Sequence, residues 1–196
     1  MAFGSDRISR VLRRIIGFRQ DELGEWIADL SCLHSQHVRH QPPFRDRGWV
    51  VTESGRAERI GTELACPLCD RAELPDRLRV SRSAGPFNAE TLPAGLRNDH
   101  QVAEGTWAIL RVIDGRVRFR MRTDPALDVR LSAGDEQAIP PTVLHRVTPE
   151  GAMEIEIEFL VRDDQDMSLD DTHSCDVDTP AMQSAPETDR EWPATT

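Results

Sequence analysis

The chain has 196 residues, 38% hydrophobic and 30% charged, which fits one or two small globular units with some non-globular sequence attached. Its net charge of −10 is concentrated at one end: residues 163–196 hold ten acidic residues and one arginine, and the rest is close to neutral. No apolar run approaches the ~20 residues a bilayer span needs, and four cysteines (Cys32, Cys66, Cys69, Cys175) are too few and too unevenly placed for a disulfide scaffold.

Residues 1–13 read as a leader. Ile8, Val11, Leu12, Ile15 and Ile16 have helical spacing, with Arg7, Arg10, Arg13 and Arg14 between them. A basic amphipathic segment can lie on a membrane, but the favoured reading is a loose end that joins a first strand near Ile15–Phe18. The segment lacks the continuous apolar core of a signal peptide, so a cytoplasmic protein without a membrane partner is expected.

Residues 14–70 read as a first module. Glu25–Leu30 is a strand with Trp26, Ala28 and Leu30 on one face, and a Cys/His cluster follows at 32–40. Pro42-Pro43 breaks the chain. Trp49–Thr52 reads as a second short strand, and Ile60–Leu64 leads into Cys66-Pro-Leu-Cys69. Residues 71–77 are a linker.

The Cys/His cluster carries the sharpest chemistry. Cys66 and Cys69 can face one cation from a single turn, and Cys32-x-His34-x-x-His37-x-x-His40 offers another thiolate and three imidazoles. Zinc takes four such N/S ligands in a tetrahedron. Cys32, His34, Cys66 and Cys69 are the expected set, with His37 the alternative to His34 and His40 read as a surface residue. Four protein ligands would close the site, making the zinc structural, and would cross-link a module too small for a large core of its own. His37, Arg39, His40, Arg45, Arg47 and Trp49 could form a nucleic-acid surface, but near-neutral charge makes nucleic acid the less favoured partner.

The stretches Gly17–Asp21, Trp26–Leu30, Cys32-Leu-His-Ser-Gln-His-Val-Arg-His-Gln-Pro-Pro43, Arg47-Gly-Trp-Val, Gly55-Arg and Cys66–Cys69 resemble a family of short bacterial domains with the same Cys/His signature and closing Cys-x-x-Cys. The resemblance covers about residues 14–70. It implies zinc binding in a zinc-ribbon-like module and attaches no activity.

Residues 78–162 read as a second, all-β module: short apolar runs between turn signals, with no long helical pattern. Trp107–Ile113 and Val117–Met121 flank Asp114-Gly115, a hairpin signal. Met153, Ile155, Ile157, Phe159 and Val161 alternate with Glu154, Glu156 and Glu158. Arg116, Arg118, Arg120 and Arg122 share one strand face. They could attract an oxyanion, but a surface ladder across from those glutamates is expected.

Leu92-Pro-Ala-Gly-Leu, Asp99-His100, Gly105-Thr-Trp107, Val112-Ile-Asp-Gly115, Pro140-Pro141, His145-Arg-Val and Glu156-Ile-Glu-Phe159 resemble the TehB/YeaR-like domain family, found in tellurite-resistance methyltransferases and small stand-alone proteins. The resemblance implies a cupin-like double-stranded β-barrel, with His100 and His145 at the family's histidine positions. A cupin metal site draws on two motifs, and His100, Glu104 and His145 are the candidate ligands for zinc, iron or manganese. The chain departs from the pattern: Ala108 stands where the usual carboxylate would be, and the first motif has one histidine. No Gly-rich fingerprint for a nucleotide cofactor is present, so methyl transfer is not expected.

Residues 163–196, rich in Asp, Ser, Thr and Pro, read as a disordered acidic tail in which His173 and Cys175 need no role. The whole is thus read as a mainly β, metal-binding, stress-associated protein: a structural zinc module followed by a barrel that binds a metal and a small ligand or anion. Two alternatives stand: a metal-dependent cupin oxygenase or isomerase, against which the Ala108 departure weighs, and an adaptor using the zinc module to contact protein or nucleic acid. Homodimerisation is left open.

Overall fold

The computed structural model describes residues 10–43 and 46–163. Most of the leader, Arg45, His173, Cys175 and all but the first residue of the acidic tail lie outside the described residues.

The first module is a four-stranded antiparallel sheet of order β3-β2-β1-β4, built from β1 (Leu12–Gln20), β2 (Trp26–Leu30), β3 (Ser35–His37) and β4 (Glu63–Ala65). Residues 11–13, read as leader, belong to this fold. The two-residue period of β1 turns Val11, Arg13 and Ile15 inward, and all three are buried. The strand expected at Trp49–Thr52 is instead a 3₁₀ turn at Gly48–Val51 running into helix α1 (Glu53–Ala57). The Thr52 hydroxyl accepts from the Gly55 N–H and caps that helix, which pulls the segment out of any strand.

The second module is a curled sheet of order β5-β9-β6-β7, with β8 also paired to β6. Its strands are β5 (Leu78–Asn88), β6 (Trp107–Met121), β7 (Leu127–Ser132), β8 (Glu136–Ile139) and β9 (His145–Arg162). The long strands β6 and β9 run antiparallel along most of their lengths and form its spine. Asp114-Gly115 does not turn a hairpin. It is a bulge inside β6, where the register against β9 shifts on both sides. Gly115 has φ +71°, and a Cβ there would lie 2.1 Å from the Ala152 carbonyl oxygen, so the neighbouring strand passes where a side chain would be. The bend lets one half of β6 pair with β8 and the other with β7, which curls the sheet.

Inward residues of the alternating β9, namely Met153, Ile155, Ile157 and Phe159, are buried as expected. The arginine ladder has other partners than those expected. Arg118 and Arg120 pair with Asp128 on β7, and Arg122 pairs with Asp99. Glu158 pairs with Arg111. The bulge places the glutamates opposite Asp114, Arg111 and Ile109 rather than opposite the arginine half of β6.

The mainly β class and the curled second module match the sequence reading. The two modules share one apolar core that runs from Val11, Leu30 and Val38 to Trp107, Leu110 and Ile155. Polar links cross the seam. The Trp107 indole N–H donates to the Cys32 carbonyl, Arg162 donates to the Leu33 carbonyl, and Arg14 is paired with Glu104.

Candidate metal centre

Two local structures bring the cysteines together. Cys32 and His34 sit in the tight turn between β2 and β3, where Leu33 has φ 71° and the Leu30 N–H donates to the His34 carbonyl. Cys66 follows β4 and stands at the N-cap position of helix α2 (Pro67–Asp70), whose single turn returns Cys69 to the same side. Pro67 at the first helical position suits such a turn, since its missing N–H would have had no intrahelical partner.

The three cysteines have no exposed surface, and His34 is 4% exposed. Nδ1 of His34 lies 3.5, 3.4 and 3.6 Å from the sulfurs of Cys32, Cys66 and Cys69, and the Cys32 and Cys66 sulfurs are 3.8 Å apart. Zinc bonds of about 2.3 Å to sulfur and 2.0 Å to nitrogen, set at the tetrahedral angle, require S···S of about 3.8 Å and S···N of about 3.5 Å. The donors therefore stand at the spacing of a four-coordinate ion, and all four ligand atoms fall within 4.8 Å of one another.

The surroundings fit the same chemistry. His34 Nε2 is 3.0 Å from the Glu73 carbonyl, which can only accept, so Nε2 carries the proton and Nδ1 turns its lone pair to the sulfurs. Trp107 packs edge-on against the His34 ring at 5.3 Å. Without an ion, burial works to lower the His34 pKa, but its hydrogen bonds to Cys32 and Cys66 and their charge outweigh it and push it up to about 9, so Nδ1 would then hold a proton in the place a cation would take. Hydrogen bonds from Cys32 and Cys69 hold the Cys66 thiol well below the usual thiol range. A thiolate-binding cation would satisfy such a cluster.

His37 is not part of the cluster. Its ring is 2.9 Å from Asp21 and 3.9 Å from Glu25 on a partly exposed surface. The turn at Leu33 aims His34 inward, while β3 carries His37 away. His40 accepts from the Arg47 N–H near the surface, and Arg39 is paired with Glu25.

In the second module, His100 and His145 face each other across an antiparallel bridge, with ring centroids 4.1 Å apart. Nδ1 of His100 donates to the Asn98 carbonyl (3.0 Å), and Nδ1 of His145 to the Val143 carbonyl (2.8 Å). Both Nε2 atoms are thereby left as lone-pair donors. Burial lowers both pKa values, that of His145 to about 3. Glu104 does not join them, because its carboxylate is taken by Arg14. The two rings line a cavity of about 460 Å³ with Arg82, Gln101 and Phe159 among its walls, and Ala108 lines it where a carboxylate was missing from the sequence pattern. Among the described residues, no Asp or Glu lines this cavity.

Three features of the centre escaped the sequence reading. Arg13 is buried and donates from Nε to the Cys69 sulfur at 3.3 Å. The Trp107 indole and the Glu73 carbonyl complete the surroundings. For Arg13 a signal existed, the alternation Val11-x-Arg13-x-Ile15, once those residues are taken as strand.

Residues 16–73 match the family model described as a protein of unknown function (DUF3565), and residues 82–157 match the TehB-like domain. Among solved structures, TehB from Haemophilus influenzae is similar at 19% identity with a TM-score of 0.40, covering 44% of this chain and 32% of TehB. A protein from E. coli K12 is similar at 23% identity and a TM-score of 0.40, covering 46% of this chain and 96% of that one. A cupin protein from Bacteroides fragilis is similar at 14% identity and a TM-score of 0.27, covering 49% and 67%. The chain thus spans about a third of TehB's length. No curated protein matches the chain.

Proposed function

We propose that this chain is a zinc protein in which Cys32, His34, Cys66 and Cys69 hold a structural ion that fixes the first module against a ligand-binding TehB-like barrel. The observation that carries this reading is the spacing of the four buried donors. Four protein ligands leave no position for substrate, so the ion contributes folding free energy rather than catalysis.

The barrel cavity supplies the binding function. Its walls are largely apolar, and among the described residues its charged side chain is Arg82 and no carboxylate lines it. That lining favours a small organic anion with an apolar body. We infer a role for such binding in tellurite, oxidative or nitrosative stress, a reading that the TehB-like resemblance supports.

A second reading is an enzyme or metal-dependent binder whose His100 and His145 Nε2 atoms hold zinc, iron or manganese. The two Nδ1–carbonyl hydrogen bonds favour it, since metal-binding histidines are commonly oriented this way. Without Glu104 the pair must be completed by an exogenous ligand.

Native mass spectrometry of protein purified without added metal separates these readings. One zinc, lost in Cys66→Ser, supports the structural site alone. A second metal, lost in His100→Ala, supports the enzyme reading. A metal-free mass contradicts both.

A further inference from the structure

Arg13 is 6% exposed, and all of its hydrogen bonds go to uncharged groups or to sulfur. Nε donates to the Cys69 sulfur (3.3 Å), Nη1 to the Thr142 hydroxyl (2.8 Å) and the Leu12 carbonyl (3.4 Å), and Nη2 to the Pro141 carbonyl (2.7 Å). No carboxylate forms an ion pair with it among the described residues. Glu104 feels its charge through space but is itself held by Arg14. A buried guanidinium without a counter-ion is costly. The centre described above supplies one, because a divalent ion bound by three thiolates and a neutral imidazole carries one net negative charge.

The far side of Arg13 reaches the turn that leads to His145, a residue of the cavity wall. Pro141 and Thr142 form the turn that leads into β9, and Thr142 is held there with φ 54° while its N–H donates to the Val102 carbonyl. The next residue, Val143, offers the carbonyl that orients His145. The chain of contacts therefore runs from Cys69 through Arg13 to the turn that sets His145.

We propose that Arg13 takes the metal–thiolate centre as its counter-ion and thereby ties the shape of the His145 end of the cavity to metal occupancy. This rests on the reading of the four-ligand cluster as a metal site. Arg13 is a positioning residue: it touches neither the cavity nor the ion, and acts through the Pro141–Thr142 turn. Oxidation of two of the thiolates by one hydrogen peroxide, which forms an S–S bond as the peroxide O–O bond breaks to two hydroxides, would expel the ion, loosen the turn and change ligand binding.

Amide hydrogen exchange of the full chain, with and without a zinc chelator, tests this, with the metal content of each sample measured alongside. The Thr142 and His145 amides donate to Val102 and His100 and report on the turn. Chelation is expected to speed their exchange about tenfold in the parent protein, the scale of a lost charged hydrogen bond, while Val112 and Phe119 in β6 stay protected. Arg13→Met is expected to abolish the metal dependence, and Arg13→Lys, which keeps the charge, to retain part of it. If Arg13→Met does not fold, Thr142→Val removes one of the two bonds from Arg13 to the turn, leaves the one to the Pro141 carbonyl, and should shrink the metal dependence. Metal loss that leaves Thr142 and His145 protected, an unchanged response in Arg13→Met, or equal loss of protection everywhere would each overturn the proposal. Protein without metal from the start would overturn the site itself, a distinct result.

Discussion

The indole N–H of Trp107 donates to the main-chain carbonyl of Cys32 at 2.8 Å, joining residues 75 apart in sequence and on different modules. Trp107 is fully buried, and its ring also packs against His34. One side chain of the curled sheet thus braces the turn that presents Cys32 and His34, two of the four clustered donors.

Trp107→Phe keeps most of the ring and leaves the buried Cys32 carbonyl without its donor. The expected cost is about 1–3 kcal/mol, and Trp107→Ala should cost about 3–5 kcal/mol through the cavity it leaves. Urea unfolding at fixed zinc concentration measures both. A Trp107→Phe midpoint equal to the parent's would mean that the bond contributes nothing.

His34→Ala and Cys69→Ser should each lose the zinc, whereas His37→Ala should keep it. His37 lies on a partly exposed surface beside Asp21, so its replacement should change stability by no more than about 0.5 kcal/mol. Metal analysis together with thermal unfolding checks the contrast. Zinc lost with His37 and retained without His34 would reverse the assignment.

His145 gives the fold a pH dependence of known sign. Burial, then the charge of His100, lowers its pKa to about 3 from an ordinary value of 6.5. Below pH 6.5 the unfolded chain binds a proton that the folded chain refuses, so stability falls as pH drops from 6.5 toward 3. Between pH 7 and 5 the loss from this group is about 2 kcal/mol. His145→Gln should remove that share of the slope in urea titrations across the window. Equal slopes in the two proteins would show that His145 titrates normally.

Gly115→Ala should destabilise by at least about 2 kcal/mol, combining a left-handed φ with collision against the Ala152 carbonyl. Gly134→Ala is the control: φ is +91° there, but nothing lies within 4 Å of the added methyl. Thermal melts of the pair separate backbone strain from collision.

Arg82 is the charged side chain lining the cavity. Binding of 8-anilinonaphthalene-1-sulfonate, an apolar anion, should weaken about tenfold in Arg82→Gln and weaken also in Ala108→Leu, which narrows the cavity, with zinc content unchanged in both. Fluorescence titration reads this directly, and equal affinities across the three proteins would place the dye elsewhere.

The Cys/His cluster was legible because few residue types gather in this way and local spacing carries them: Cys66 and Cys69 share one turn, and Cys32 and His34 another. The choice between His34 and His37 was not, because it depends on which way the turn at Leu33 aims each ring. Asp114-Gly115 was misread for a related reason. A hairpin and a bulge ask for the same backbone at glycine, and the outcome is set by β9, whose paired residues lie nearly 40 positions away. Glu104 suited a ligand by type and place, but Arg14 in the other module claims it. Arg13 was hidden because an arginine near a chain start reads as solvated. Only the pairing of β1 with β2 and β4 turns it inward.

Zinc-edge X-ray absorption on protein purified without added metal tests the central claim most directly. The expected first shell is three sulfurs at about 2.3 Å and one nitrogen at about 2.0 Å, reduced to two sulfurs or lost in Cys66→Ser. An absence of zinc, or a shell dominated by oxygen and nitrogen, would contradict a closed centre made by Cys32, His34, Cys66 and Cys69.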